Sequence, residues 1–197
     1  MNQKARTRAA IVQAVRELAR TGAEITMPSV AEAALVSEAT AYRYFPDLVT
    51  LLLEADEGTW ADPDEALAPV ADSADPVIRI GYAARLLLDG VLANESAVRA
   101  MIAGSISRPT LAARRPGHRF GLIDAALAPA ADRIGPAGLA QLRRDLAVAV
   151  SAEALFTLTD LCGLSGPDAV DSAVHTARTV TGAAFRAAGQ EVREPVD

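Results

Sequence analysis

Apolar positions recur at helical spacing along nearly the whole chain, and no window alternates in the two-residue period of a strand. From Arg6 to Thr21, the residues Ile11, Val15, Leu18 and Ala19 fall on one face, and Gly22 follows as a stop. The stretch Thr26–Phe45 reads as two short helices joined by a tight turn. Thr26 can cap the first, because its hydroxyl accepts a backbone N–H left free at the helix start. Pro28 falls in the first turn, where its missing N–H costs little, and Val30, Ala33 and Ala34 give one apolar side. Leu35 and Val36 form the turn, and Ser37 caps a second helix that runs to Tyr44. On that helix Ala41 and Phe45, four apart, face the core, while Thr40, Tyr42, Arg43 and Tyr44 spread over the other sides.

A fourth helix is expected from Pro46, with Leu48, Leu51, Leu52 and Ala55 on its buried side. The segment Thr59–Pro76, rich in Asp, Ala and Pro, reads as a connector with at most a turn of helix. Further helices are predicted at Asp75–Ala93, Glu95–Ser107, Phe120–Ala128, Pro136–Cys162 and Pro167–Ala188, separated by breakers such as Arg108-Pro109 and Gly163 to Pro167. The fold class is therefore all-α. The expected organisation is a three-helix head over residues 1–50, a helical-bundle body over 51–190, and a disordered tail over 191–197. On the last helix Val170, Val174, Ala177, Thr181, Ala184 and Ala188 follow a 4-3-4-3-4 spacing, a seam of small residues that admits close helix approach. The preceding helix offers Leu139, Leu142, Leu146, Ala149 and Phe156, with Glu153 and Asp160 on the same stripe. Two such helices from each of two subunits would make a four-helix dimer interface; the alternative is intramolecular core.

Composition narrows the class. Hydrophobic residues make up 51% and aromatics only 4%, so Ala, Leu and Val supply the apolar mass, which suits packed helices. Cys162 is the single cysteine, which excludes an intramolecular disulfide. The polar, basic start carries no apolar leader, and no run reaches the ~18 apolar residues of a membrane span. A cytoplasmic location without a membrane partner is the expectation. The net charge of −6 is unevenly spread: residues 1–45 hold six cations against four carboxylates, a net +2, leaving −8 on the remainder. A basic head on an acidic body fits a nucleic-acid-reading end.

Two phenols and a guanidinium within five residues supply phosphate and base-edge donors. The run Ala33-Ala34-x-Val36-Ser37 followed by Thr40-x-Tyr42-x-Tyr44-Phe45, with Arg8-x-x-Ile11 and Leu18 before it, resembles the DNA-binding domain of TetR-family transcriptional regulators over roughly residues 8 to 55. The resemblance implies an all-helical homodimer that reads double-stranded DNA and is released by a small molecule bound in its body. Two positions depart from the pattern. Leu35 stands where the family turn is usually Gly, at a cost on the order of 1 kcal/mol if it is left-handed. Leu48 stands where the family tends to place a phosphate-binding Lys, which removes one salt-dependent contact per half-site.

In this reading Glu38–Tyr44 enters the major groove. Thr40, Tyr42 and Tyr44 hold phosphates, Arg43 reads a base with guanine the usual partner, and Glu38 and Ala39 touch cytosine amino or thymine methyl groups. The caps Thr26 and Ser37 belong to the same surface, and Lys4 and Arg6 sit on a flexible cationic arm that reaches a groove or phosphate. An effector cavity would draw on Trp60, Leu86, Met101, Ile102, Phe120, Ile123 and Phe156, with Glu153, Asp160 or Arg119 as polar anchors. A carboxylate in such a stripe favours a cationic or amphipathic effector. Catalytic and metal chemistry find no support. His118 and His175 lack helical ligand partners, Cys162 has no neighbouring histidine, and Asp62-Pro-Asp64-Glu65 lacks the features of a calcium loop. No cofactor is expected, and no enzymatic activity. The chain thus reads as a ligand-responsive DNA-binding transcriptional regulator, by the family likeness a repressor that binds a palindromic operator as a homodimer; the alternative is a helical small-molecule-binding or interaction protein with a weakened DNA-binding head.

Overall fold

A computed structural model of the chain describes residues 2–107, 110 and 115–191. Among them the regular structure is helical, without strands. The expected disordered tail beyond Glu191 and the breaker Arg108-Pro109 lie outside the described residues. The chain divides into two compact units. A head comprises residues 1–60 and 91–116, and a body comprises residues 61–90 and 117–197.

In the head, α1 (Gln3–Thr21) starts from Asn2, whose side chain accepts from the Lys4 N–H, and ends at Gly22 with φ 69. The residues expected as a flexible arm are therefore the first turns of α1, because Asn2 supplies the N-cap that the sequence reading placed later. Helix α2 (Met27–Ala33) and helix α3 (Glu38–Tyr44) follow. Helix α4 (Leu48–Asp56) begins two residues later than Pro46, because Asp47 accepts the Thr50 N–H at 2.7 Å and caps it. Ile11, Val15, Val30, Ala41, Phe45, Leu51 and Leu52 form the buried core. Ala97, Ala100 and Met101 of α7 (Glu95–Ser107) pack against that core. At the α4–α7 contact Gly104 is required, since a Cβ there would lie 2.3 Å from Cγ2 of Val49.

The body holds the short helix α5 (Pro63–Ala66), a 3₁₀ turn (Ala68–Val70) and most of α6 (Pro76–Ala93). It continues with α8 (His118–Leu127), a second 3₁₀ segment (Ala128–Arg133), α9 (Gly135–Ala149), α10 (Ala152–Asp160) and α11 (Gly166–Glu191). The single helix expected over Pro136–Cys162 is two. Ser151 leaves helical geometry at ψ 153, accepts the Ala154 N–H at 3.0 Å, and donates to the Val148 carbonyl at 2.8 Å. Such local side-chain bonds offer the backbone an alternative to the helix ladder.

Most of the stripe on α11 is covered within the chain. Val170, Val174, Ala177 and Thr181 are buried within the body, where α11 packs on α9 and α10 of the same chain. These four residues are intramolecular core, whereas Ala184 and Ala188 of the same stripe are only half-buried; Thr181 satisfies its hydroxyl by donating to the Ala177 carbonyl at 2.8 Å.

Arg79 is the residue of the body that patterning missed. It lies on α6 among Ile80, Ala83, Ala84, Leu87 and Leu88 and is buried with them. Its guanidinium donates to the carbonyls of Ala126 at 3.0 Å, Ala125 at 3.0 Å and Val70 at 2.8 Å. A cation over the last carbonyls of α8 is favoured by the helix dipole and satisfies acceptors that the helix itself leaves open.

Candidate nucleic-acid interface

The segment from Thr26 to Phe45 is held rigid at each junction. The Ser29 N–H donates to Oγ1 of Thr26 at 3.2 Å, and the Thr26 N–H donates to Oγ of Ser29 at 2.9 Å, a reciprocal capping box. At the other end of α2, the Leu35 N–H reaches the Glu32 carbonyl at 3.0 Å and the Val36 N–H reaches the Ala31 carbonyl at 2.9 Å. This is the paired closure that needs a left-handed residue, and Leu35 supplies it at φ 55. Ser37 then caps α3 by accepting the Thr40 N–H at 3.2 Å, and its hydroxyl lies 2.9 Å from the Thr40 hydroxyl.

Helix α3 is tethered by one face. Ala41 and Phe45 are completely buried, and Tyr44 is half-buried against the same core. Glu38, Ala39, Tyr42 and Arg43 are exposed, with Tyr42 at 48%. Arg43 places its guanidinium 5.8 Å from the centre of the Tyr44 ring. Lys4, Arg6 and Ser37 are exposed as well, whereas Thr26 and Thr40 are half-buried and their hydroxyls serve the caps.

Arg8 is a functional neighbour that the sequence reading used only as a motif position. Its guanidinium lies 4.4 Å from the centre of the Phe45 ring, its Nε donates to Oε1 of Glu54 at 2.7 Å, and Nη2 pairs with the other Glu54 oxygen. The Glu54 hydrogen bond raises the Arg8 pKa above its ordinary value, against a smaller opposing effect of desolvation. One side chain of α1 thereby joins the end of the α3 segment to α4.

The residues expected around an effector cavity are divided. Trp60, Met101 and Ile102 belong to the head; Leu86, Phe120, Ile123, Glu153, Phe156 and Asp160 belong to the body. Trp60 is half-buried and donates from Nε1 to Oδ1 of Asp56 at 3.0 Å. Ile123 and Phe156 are buried core residues, and Asp160 is exposed. Glu153 lies 3.5 Å from Nη1 of Arg119, and the Phe120 ring carries the Arg119 and Arg143 guanidiniums at 5.6 and 4.5 Å.

An all-helical chain that caps and tethers a short helix behind a tight turn, with a tyrosine and an arginine facing outward, is a helix-turn-helix DNA-binding protein. Residues 10–55 match the family model described as bacterial regulatory proteins, tetR family. The chain carries the TetR-family DNA-binding domain and is a DNA-binding transcriptional regulator. No curated protein and no solved structure matches it. Among the described residues no helix is long and apolar enough to cross a membrane.

Proposed function

We propose that the chain is a repressor that binds a palindromic operator as a homodimer and releases it when a small molecule binds. The observation that carries this reading is the outward presentation of Tyr42 and Arg43 by a helix whose opposite face, Ala41 and Phe45, is completely buried. Arg43 reads a base edge, Tyr42 grips a phosphate, and Glu38 and Ala39 meet the neighbouring base pair. Lys4 and Arg6 on the first turns of α1 add phosphate contacts, and Tyr44 contributes through its hydroxyl, since its ring packs on the core. Residues 1–50 act as the reading head and 51–190 as the sensing and pairing region, at work in the cytoplasm. Because Val170, Val174, Ala177 and Thr181 are covered within the chain, the pairing surface uses the rest of the last helices, the half-buried Ala184 and Ala188 among them.

The test is selection of bound duplexes from a random DNA pool. An inverted-repeat consensus supports the reading; an unenriched pool rejects it. A second reading, a helical small-molecule-binding protein with a weakened head, draws on Leu48. That residue packs on the head core at the start of α4 and offers no cation to a phosphate. Retention on duplex DNA as salt rises separates the two, because a regulator gives a steep log–log slope.

A further inference from the structure

We infer that Arg8 is a positioning residue for base reading: it closes the C-terminal end of α3 and holds the last turn, which carries Arg43, in the direction that DNA requires. This inference rests on the reading above in which α3 enters the groove and Arg43 meets a base edge. Every residue it uses belongs to the head unit.

The guanidinium engages α3 and α4 together. Nη1 donates to the Tyr44 carbonyl at 3.4 Å, and the cation stacks 4.4 Å from the centre of the Phe45 ring. Nε donates to Oε1 of Glu54 at 2.7 Å and Nη2 pairs with the second carboxylate oxygen, so the fork itself is anchored on α4. Tyr44 is the last residue of α3, and Phe45 leaves helical geometry at ψ 108. The last carbonyls of a helix have no partner within it, and a cation placed there also meets the negative end of the dipole. Ser37 caps the N-terminal end of α3, and Arg8 supplies the closure at the other. With seven residues α3 is only about two turns long. Fraying of its last turn therefore displaces Arg43, which directly precedes Tyr44.

A direct phosphate contact is the other use of an arginine at this surface, and the chemistry weighs against it. Nε, Nη1 and Nη2 each have a partner within the head, one face of the guanidinium covers Phe45, and Glu54 neutralises the charge. A neutralised cation releases few counterions and adds little to the salt dependence of DNA binding. Arg16 provides a control. It also comes from α1 and also holds α4, donating to the carbonyls of Ala55 at 2.9 Å and Glu57 at 3.2 Å. Both of those bonds end on α4 and its C-cap rather than on α3.

The test measures binding of the full chain to the duplex recovered by selection and to a random-sequence duplex of equal length, across a salt series. Arg8→Gln should lower the ratio of the two affinities roughly three- to tenfold, with the salt slope unchanged. Glu54→Ala removes a negative charge, so by charge alone every duplex binds more tightly; with the anchor of Arg8 gone, the ratio should still fall by a similar factor. Arg16→Gln should lower the thermal midpoint and leave the ratio intact. Amide hydrogen exchange on the free chain probes the same contact without DNA. Arg8→Gln should speed exchange at the Tyr44 and Phe45 N–H groups by about fivefold or more, and Arg16→Gln should not. An equal loss on both duplexes, with the slope lower by about one, makes Arg8 a phosphate contact and overturns the inference. Unchanged exchange at Tyr44 and Phe45, or an equal fall in the ratio for Arg16→Gln, overturns it as well. An unenriched pool rejects the regulator reading alone, and exchange then decides whether Arg8 holds α3.

Discussion

Replacing Leu35 by glycine should stabilise the head, although it deletes a large apolar side chain. At φ 55 the leucine backbone is left-handed, a conformation that brings Cβ close to the following carbonyl oxygen and costs about 1–2 kcal/mol. Glycine removes that strain but gives up about 0.5–1 kcal/mol through the greater freedom of its unfolded chain. No burial is lost, because the Leu35 side chain is 93% exposed. The two closing hydrogen bonds at the turn come from backbone N–H groups and survive the change. The net effect is a gain of about 0.5–1 kcal/mol. Trp60, the chain's one tryptophan, lies in the head unit, so its fluorescence in a urea titration reports that unit. The midpoint should rise by roughly 0.3–0.5 M for a slope of about 2 kcal/mol/M. Leu35→Ala is the control: it removes the same apolar exposure, keeps the strained φ, and should leave the midpoint nearly unchanged. A destabilised glycine variant, or an alanine variant stabilised as much as the glycine one, would refute the strain argument.

Arg43→Ala should cost about 1–3 kcal/mol of operator affinity and relax choice at one base pair, checked by binding to duplexes substituted one position at a time. Lys4→Gln should weaken all duplexes alike and lower the salt slope by about one, read from retention across a salt series. Gly104→Ala should destabilise the head by about 1–3 kcal/mol through the clash with Val49; the double variant with Val49→Ala should recover part of that loss in thermal unfolding. Arg79→Met should destabilise the body by about 2–4 kcal/mol, since it orphans buried carbonyls, measured by far-ultraviolet circular dichroism on heating.

How legible these features are depends on how local their causes are. The α2–α3 unit can be read because each cap, Thr26 and Ser37, directly precedes its own apolar stripe, and the family likeness covers the same residues. The left-handed Leu35 could be anticipated because the hydrogen-bonded closure of α2 demands positive φ whatever residue stands there. Where two signals compete in a few residues, reading fails. Pro46 is a legitimate helix starter, yet Asp47 caps α4 one residue later; Ser151 breaks a helix whose apolar spacing continues across it. Long-range packing leaves even less trace. The pattern predicts α7 but not its place beside the head core, and the α11 stripe looks alike whether its partner is α9 or a second subunit. Arg79 looks like a solvated charge until the carbonyls of Val70, Ala125 and Ala126 are brought around it.

The two tyrosines of α3 illustrate how packing assigns roles to identical side chains. Tyr42 and Tyr44 are two residues apart, which on a helix of 3.6 residues per turn turns them about 200° from one another. Once Ala41 and Phe45 are committed to the core, Tyr44 falls beside them and Tyr42 faces away. Arg43, between them in sequence, is exposed and holds its guanidinium 5.8 Å from the Tyr44 ring centre, so the anchored tyrosine gives the mobile cation a preferred resting place. Arg8 then limits the remaining freedom at the end of the segment by stacking on Phe45 while paired to Glu54. A recognition helix of seven residues has too little hydrogen bonding of its own to stay ordered in water. Its rigidity comes from these neighbours, and any event that shifts α4 or loosens the Arg8 contact alters the direction in which Tyr42 and Arg43 project.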